Sequence, residues 1–486
     1  MKKSLKQNLV YQSFYRILSI LTPLITSPYL ARVLGAKSLG IYSYTLSVVS
    51  YFMIFAFLGT ETYGNRTIAR INICQNKELL SKNFWGIYIL QLFCSIIAFG
   101  TYIFFVLFIE KENRIIAVIQ GFWIISTLLD INWFFFGIEE VKLTVIRNSL
   151  VKLLGVFLIL IYVKSPNDLF CYALIMVGTM VVSQLIMWAY IPKYIKFVDL
   201  KWNDIKIHIK PNIGLFIPLI ASNLYWTMDK TMLGILSDYE NTGYYYNADK
   251  VMNIPLNLII GFGAVMLPRM SAMIEQNRRK EWNKMFSITA EFYMMASCAV
   301  GGGIAAIANE FVPFFFGDGY EPCVLLIKLF GPILVLKAIN DMIKNQCILP
   351  LGEEKKYTLI VFCGAIVNII TNYILIPSFG ALGALTATGI SELIVVFMEL
   401  ILERKFLKIK NIIWKNIYYA FFAMIMYGTI QIISHRFNLE CVNKLIIEIL
   451  VGVCIYIICC FIYWKINPKK DLANYVNEYI NNKRRI

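Results

Sequence analysis

Read as apolar runs and polar breaks, the chain repeats one pattern from end to end: about 20 hydrophobic residues, then a short charged interruption. At 1.5 Å of rise per residue, such a run crosses about 30 Å of hydrocarbon as a helix. The windows place spans near 9–31, 41–63, 84–109, 115–137, 144–163 and 169–191, then near 212–236, 247–268, 286–308, 324–349, 357–377 and 382–402. A last pair follows near 412–434 and 443–464. The pattern predicts an all-α polytopic membrane protein of about 14 transmembrane helices.

Composition agrees with that reading. Of 486 residues, 58% are hydrophobic and only 16% charged, which leaves too little polar surface to coat a soluble globule. Eleven cysteines sit mostly in apolar stretches without disulfide or metal-ligand spacing and read as small packing residues. Residues 1–8, with Lys2, Lys3 and Lys6, resemble the start of a signal peptide, but the apolar segment after them is long and carries Arg16, Pro23 and Pro28. A retained first span is expected.

The net charge of +16 is scattered over short loops and both ends, so it does not form the basic stripe of a nucleic-acid binder. Topology accounts for it instead. With an even number of spans the termini share a side, and that side holds about 32 Lys and Arg, including Arg147, the stretches Lys193–Lys210 and Arg404–Lys415, and the tail Lys465–Arg485. The opposite side holds about seven: Arg32, Lys37, Lys111, Arg114, Lys164, Arg436 and Lys444. By the positive-inside rule both termini are expected in the cytoplasm.

Two sets of punctuation recur in order. Glu139-Glu140-Val141-Lys142-Leu143-Thr144 matches Glu353-Glu354-Lys355-Lys356-Tyr357-Thr358 at an offset of 214, and Leu34-Gly35 with Gly40-Ile41-Tyr42 matches Leu233-Gly234 with Gly243-Tyr244-Tyr245. A duplicated architecture follows. Residues 1–195 are expected to form one six-helix bundle and 212–405 another, joined by a basic cytoplasmic connector at 196–211. Residues 406–486 add helices 13 and 14 and a basic cytoplasmic tail.

Ionisable side chains at membrane depth are costly and mark a bundle interior or a water-filled cavity. Here they include Arg16, Asp130, Lys152, Asp229, Lys230, Asp249, Lys250, Lys337, Asp341, Lys344, Glu392 and Glu399. Helical spacing groups several of them. Asn247, Lys250, Asn253 and Asn257 share a face of span eight, Lys337, Asp341 and Lys344 a face of span ten, and Asn223, Trp226 and Lys230 a face of span seven. Together they predict a cationic, amide-rich cavity for a substrate with phosphate charge and sugar hydroxyls. The candidate substrate-binding set is Arg16, Lys152, Asn223, Lys230, Asn247, Lys250, Asn253, Lys337 and Lys344, with Asp130, Asp229 and Asp341 as candidate ion-coupling groups. The competing reading treats pairs such as Asp229 with Lys230 as neutralised packing elements, and places Glu61, Lys328 and Glu399 at the membrane interface.

Enzymatic chemistry finds little support. The two histidines are His208, in a predicted cytoplasmic loop, and His435, near an external end, and the external loops leave little room for a catalytic domain. No metal set, cofactor site or phosphate-binding glycine loop is apparent.

Three blocks then carry a resemblance to a known family. They are Pro28-Tyr29-Leu30-Ala31-Arg32-Val33-Leu34-Gly35, Thr62-Tyr63-Gly64-Asn65-Arg66-Thr67-Ile68-Ala69-Arg70, and Asn368 through Leu375-Ile376-Pro377 to Gly380-Ala381-Leu382-Gly383-Ala384 with Ser391-Glu392. The chain resembles the oligosaccharide-lipid flippases of the polysaccharide transporter family, in the multidrug/oligosaccharidyl-lipid/polysaccharide exporter superfamily. The resemblance implies two six-helix bundles in a V-shaped arrangement plus a C-terminal helix pair, in a bacterial cytoplasmic (inner) membrane. It implies alternating-access export of an undecaprenyl-diphosphate-linked repeat unit for capsule, O-antigen or exopolysaccharide, with no cofactor and with a proton or sodium gradient as the drive. The partners implied are the lipid-linked oligosaccharide, membrane lipids, and the polymerase and chain-length proteins of the same pathway, with no nucleic acid. Where relatives carry an acid in span two, this chain reads Phe55-Ala56-Phe57-Leu58-Gly59. The alternatives are a cation-coupled multidrug or toxin extruder of the same superfamily and a membrane-embedded polysaccharide polymerase.

Overall fold

A computed structural model describes residues 2–74, 76–406, 416–436, 440–467 and 472. Among the described residues its regular secondary structure is entirely helical. The basic stretch 407–415 and the tail beyond 472 lie outside them, as do the side chains of Lys2, Lys3 and Lys6.

By contacts the chain divides into two compact units, residues 1–243 and 244–486. The first contains α1 (Lys2–Phe57), α2 (Thr60–Asn72), α3 (Lys77–Phe108), α4 (Arg114–Leu128), α5 (Asn132–Gly137), α6 (Val141–Tyr162), α7 (Leu169–Trp188) and α8 (Trp202–Leu236). α9 (Tyr239–Glu275) runs on into the second unit, which continues with α10 (Arg279–Ala306), α11 (Ala308–Phe316), α12 (Pro322–Ile343), α13 (Glu354–Leu402), α14 (Ile417–Arg436) and α15 (Cys441–Ile466).

Among the described residues, 11 segments are long and apolar enough to cross a membrane. Their number is smaller than that of the predicted spans for a structural reason. α1 and α13 each join two predicted spans through a sharp kink, at Gly35 with φ 74° and at Gly380 with φ 52°. Both dihedrals lie in the left-handed region that only glycine enters without strain. α8 contains the span predicted at 212–236 but is too polar to be counted with the 11.

Large apolar side chains face outward on many of these helices, including Phe93, Phe104, Phe108, Phe157, Ile374, Phe397 and Phe461. Water would not tolerate that surface; lipid does. The chain is a multi-pass membrane protein.

Inside the first unit, α1 packs on α3, α4, α6 and α8, and α4 and α6 both pack on α7. An aromatic core formed by Phe84, Tyr88, Trp133, Phe134 and Phe135 locks α3 to α5, with Trp188 of α7 against it. In the second unit α10 packs on α12 and α14, α12 on α13, and α14 on α15.

The repeat seen in sequence has a backbone counterpart, shifted by one residue. Glu139 (φ 64°) donates to Phe136 O and Glu140 to Phe135 O, while Gly352 (φ 73°) donates to Leu349 O and Glu353 to Ile348 O. Both are the paired hydrogen bonds of a left-handed helix cap, and they correspond at an offset of 213. The side-chain match at 214 is therefore one position out of the structural register.

Candidate functional site

The polar centre of the first unit is built where a helix breaks. Residues 129–131 separate α4 from α5 and free several backbone carbonyls inside the bundle. Gln91 Nε2 donates to Thr127 O at 2.7 Å and to Asp130 O at 2.8 Å, and Trp188 Nε1 donates to Leu129 O at 2.9 Å. Gln91 is itself held by Trp133 Nε1, which donates to its Oε1 at 3.0 Å.

The break turns Asp130 into a bundle-lining cavity. Its Oδ1 accepts from Asn132 N at 2.7 Å and its Oδ2 from Gln184 Nε2 at 3.1 Å. Behind those amides lies Arg147, only 6% exposed. Its Nη2 donates to Asn132 Oδ1 at 2.7 Å and Asn148 Oδ1 at 2.6 Å, and its Nη1 to Ser183 O at 2.9 Å and Gln184 Oε1 at 3.3 Å. A planar fork with several donors satisfies four acceptors at once, which an ammonium on a flexible stem does not reproduce. The result is a rigid polar floor on α4, α5, α6 and α7.

Above it the cavity has a volume of about 640 Å³. Trp123 and Trp226 supply flat apolar faces, Asn132, Asn148, Gln184 and Asn223 supply amides, and Glu61 and Asp130 supply carboxyls. This wall is rich in amides, of which only Asn223 is among the candidates read from the sequence. It is not cationic: the guanidinium sits beneath the surface, tied into the floor.

Two of the sequence candidates, Asp130 and Asn223, thus line this cavity, and Asn223 Oδ1 also accepts from Thr227 Oγ1 at 3.1 Å. Lys152 is half-buried with Nζ 5.5 Å from the Tyr15 ring centre, Lys230 is half-buried, Asp229 is buried, and Arg16 is exposed.

The other candidates belong to the second unit. Asn247 is buried, Asn253 Nδ2 donates to Asp249 Oδ1 at 2.8 Å, and Lys250 Nζ stands 5.4 Å from the Tyr246 ring centre. Lys337 Nζ is 5.9 Å from the Phe330 ring and Lys344 Nζ 5.6 Å from the Tyr357 ring. Lysines in both units therefore rest on aromatic faces, which stabilise a cation where water is scarce. Asp341 accepts from Tyr293 Oη at 3.0 Å and Asn345 Nδ2 at 2.8 Å, and pairs with Lys344 at 3.6 Å.

Several polar groups lie elsewhere than the sequence alone suggests. Arg147 was assigned to the basic side of the topology, yet it is the hub of the floor; its position inside the window 144–163 was the available signal. Glu61, read as interfacial, lines the cavity, and Glu399, also read as interfacial, is fully buried. His208, expected in a loop, is buried on α8 with Nδ1 2.8 Å from Tyr63 Oη.

Residues 5–274, more than half of the chain, match the family described as "Polysaccharide biosynthesis protein". The chain belongs to that family. Within the polysaccharide biosynthesis protein family, the matched region contains the first unit from residue 5 onward and therefore the entire Asp130–Arg147 floor. A relative from Escherichia coli (strain K12), described as "Putative O-antigen transporter", is 22% identical over 411 residues, covering 83% of this chain and 97% of the relative. Among solved structures, the lipid II flippase MurJ in an inward closed conformation superimposes with a TM-score of 0.75 at 16% identity, covering 94% of this chain and 99% of that one. An inward-facing multidrug resistance MATE family transporter of the MOP superfamily gives 0.62 at 16% identity, covering 79% and 94%. At these identities the structural likenesses show a shared fold.

Proposed function

We propose that this member of the polysaccharide biosynthesis protein family is a flippase. It carries undecaprenyl-diphosphate-linked oligosaccharide repeat units from the cytoplasmic to the outer leaflet of a bacterial inner membrane, for capsule, O-antigen or exopolysaccharide assembly. Transport proceeds by alternating access, drawing on a proton or sodium gradient, with both termini in the cytoplasm and the six-helix bundles at 1–195 and 212–405 as its halves. The pathway's polymerase and chain-length proteins receive the product.

The observation that carries this reading is the tryptophan- and amide-lined cavity over the Arg147 floor. Tryptophan faces stack on the apolar faces of sugar rings, and primary amides donate to and accept from hydroxyls. The intramembrane lysines supply positive charge for a diphosphate, whose attraction is stronger in a low-dielectric site than in water.

The acids Glu61 and Asp130 on the same wall favour one rival, export of organic cations. Proteoliposomes separate the two. The flippase reading expects movement of a fluorescent prenyl-diphosphate oligosaccharide to the far leaflet and no export of cationic dyes; dye export without lipid movement would overturn it.

A further inference from the structure

The second unit contains a buried carboxyl that the proposed transport path has not used. Glu399, on the last turn of α13, is fully buried, and among the described residues neither of its carboxyl oxygens meets a hydrogen-bond partner. An isolated carboxylate in such a place is among the most costly groups a protein can hold, whereas a neutral carboxyl is tolerated. Its surroundings add to that cost. Glu392 and Glu403 stand seven residues before it and four after it, so the three acids follow one face of α13. Asp341 on α12 brings another negative charge into electrostatic contact, and the Tyr357 hydroxyl lies among the same acids.

Positive charge comes from one close direction. Lys344, paired with Asp341 at 3.6 Å, also acts on Glu399. Lys344 opens the five-residue π-turn Lys344–Ile348 at the end of α12, a widened helical turn of the sort that often marks a functional position. The helix that carries Glu399 is thus packed against a segment already departing from regular geometry.

A route to solvent follows the same acids. Glu403, one turn beyond Glu399, accepts from Lys356 Nζ at 3.4 Å, and Lys356 pairs at 2.6 Å with Glu353, whose side chain is partly exposed. Partly exposed Glu353 and buried Glu403 thus share Lys356, and Glu403 stands one helical turn from Glu399.

We propose that Glu399 is the proton-carrying group of the transport cycle, exchanging its proton through Glu403 in one state of the alternating-access cycle and with the opposite side of the membrane in the other. On the Glu403 side the O–H bond of a hydronium ion or of a protonated Glu403 breaks and one forms on Glu399, or the reverse; in the other state of the cycle the Glu399 O–H bond is exchanged with a water molecule open to the opposite side. The occupant is a proton and not a sodium ion, because a hard metal cation requires several oxygen ligands and neither Glu399 oxygen has a polar partner within hydrogen-bond distance among the described residues. This inference rests on the flippase reading above and names the group that would couple it to a gradient.

The test uses full-length protein in proteoliposomes with a fluorescent short-chain prenyl-diphosphate oligosaccharide. A pH gradient should drive accumulation in the wild type, while Glu399→Gln should lose that accumulation at least tenfold and keep gradient-independent exchange of labelled for unlabelled substrate. Glu399→Asp should restore part of it, which guards against a folding defect. Infrared spectroscopy of the wild type should show a protonated carboxyl that Glu399→Gln lacks and Glu392→Gln retains. Accumulation by Glu399→Gln equal to wild type, absence of the infrared difference, or a drive by sodium alone would overturn the assignment. Failure of the wild type even in exchange would instead overturn the flippase reading, since the infrared band is read independently of transport.

Discussion

Arg147 and Asp130 are held to one another through shared amides: Asn132 and Gln184 each bond to both, with Arg147 Nη2 to Asn132 Oδ1 at 2.7 Å and Asn132 N to Asp130 Oδ1 at 2.7 Å. The arrangement turns a broken helix into a rigid floor, because the carbonyls of Thr127, Leu129 and Asp130 are held by Gln91 of α3 and Trp188 of α7. Removing the hub leaves buried acceptors unpaired.

Arg147→Ala is therefore expected to destabilise the first unit by about 3 kcal/mol, and Arg147→Lys by about 1–2 kcal/mol, since an ammonium cannot bond to all four acceptors. Thermal unfolding in detergent reads the first effect, and complementation of a flippase-deficient strain reads the loss of export. A lysine variant with wild-type melting and export would contradict the hub assignment.

Trp226 stands at the cavity wall, 47% exposed, where a sugar could stack on it. Trp226→Ala should weaken apparent affinity for the oligosaccharide about tenfold, equivalent to about 1.4 kcal/mol, while Trp226→Phe keeps most of it. Concentration-dependent translocation in proteoliposomes measures this. Equal loss in both variants would mean that the indole is needed for more than its flat face.

His208 provides a pH dependence at the head of α8. Burial pushes its pKa down from 6.5 to about 4, against a smaller opposing pull from Asp204. Above pH 6.5 the ring is neutral whether α8 is docked or not, so stability is flat in this respect. As pH falls from 6.5 towards 4 the undocked state takes a proton that the docked state refuses, and stability drops. The loss is at most about 3 kcal/mol. His208→Gln should flatten the melting temperature over that window; an unchanged slope would assign the dependence to other groups.

The two left-handed caps differ in residue type. Glu139 occupies at φ 64° what Gly352 occupies at φ 73°. A side chain in that conformation costs about 1 kcal/mol relative to glycine. Glu139→Gly is expected to raise stability by that amount and Gly352→Ala to lower it, as read by denaturation of the detergent-solubilised protein. Opposite signs would show that the Glu139 side chain contributes more than its backbone costs.

Much of the fold was legible in the sequence because a membrane imposes a simple rule. Every span must be apolar and about 20 residues long, so 84–109 and 443–464 were read close to where α3 and α15 lie. Gly35 and Gly380 were harder. The polar breaks around them were visible, but the continuation of helix through a single left-handed residue depends on dihedral angles that hydropathy does not encode.

The candidate site was legible only in part. Intramembrane charge drew attention to Asp130 and Asp341, and the residue counts alone justified that. Arg147, Gln184 and Gln91 were passed over because a residue near a predicted span end, or an uncharged amide within it, gives a weak hydropathy signal.

By itself, then, the chain's pattern of apolar runs determined that this is a many-spanning helical membrane protein with duplicated punctuation, because the cost of exposing backbone and charge to lipid leaves few alternatives. Which charges meet was decided only by tertiary structure. Whether Arg147 lies under Asp130, or Glu399 is buried without a partner, depends on how α4, α6, α7 and α13 rotate and break against their neighbours, and that choice is made by packing across residues far apart in sequence.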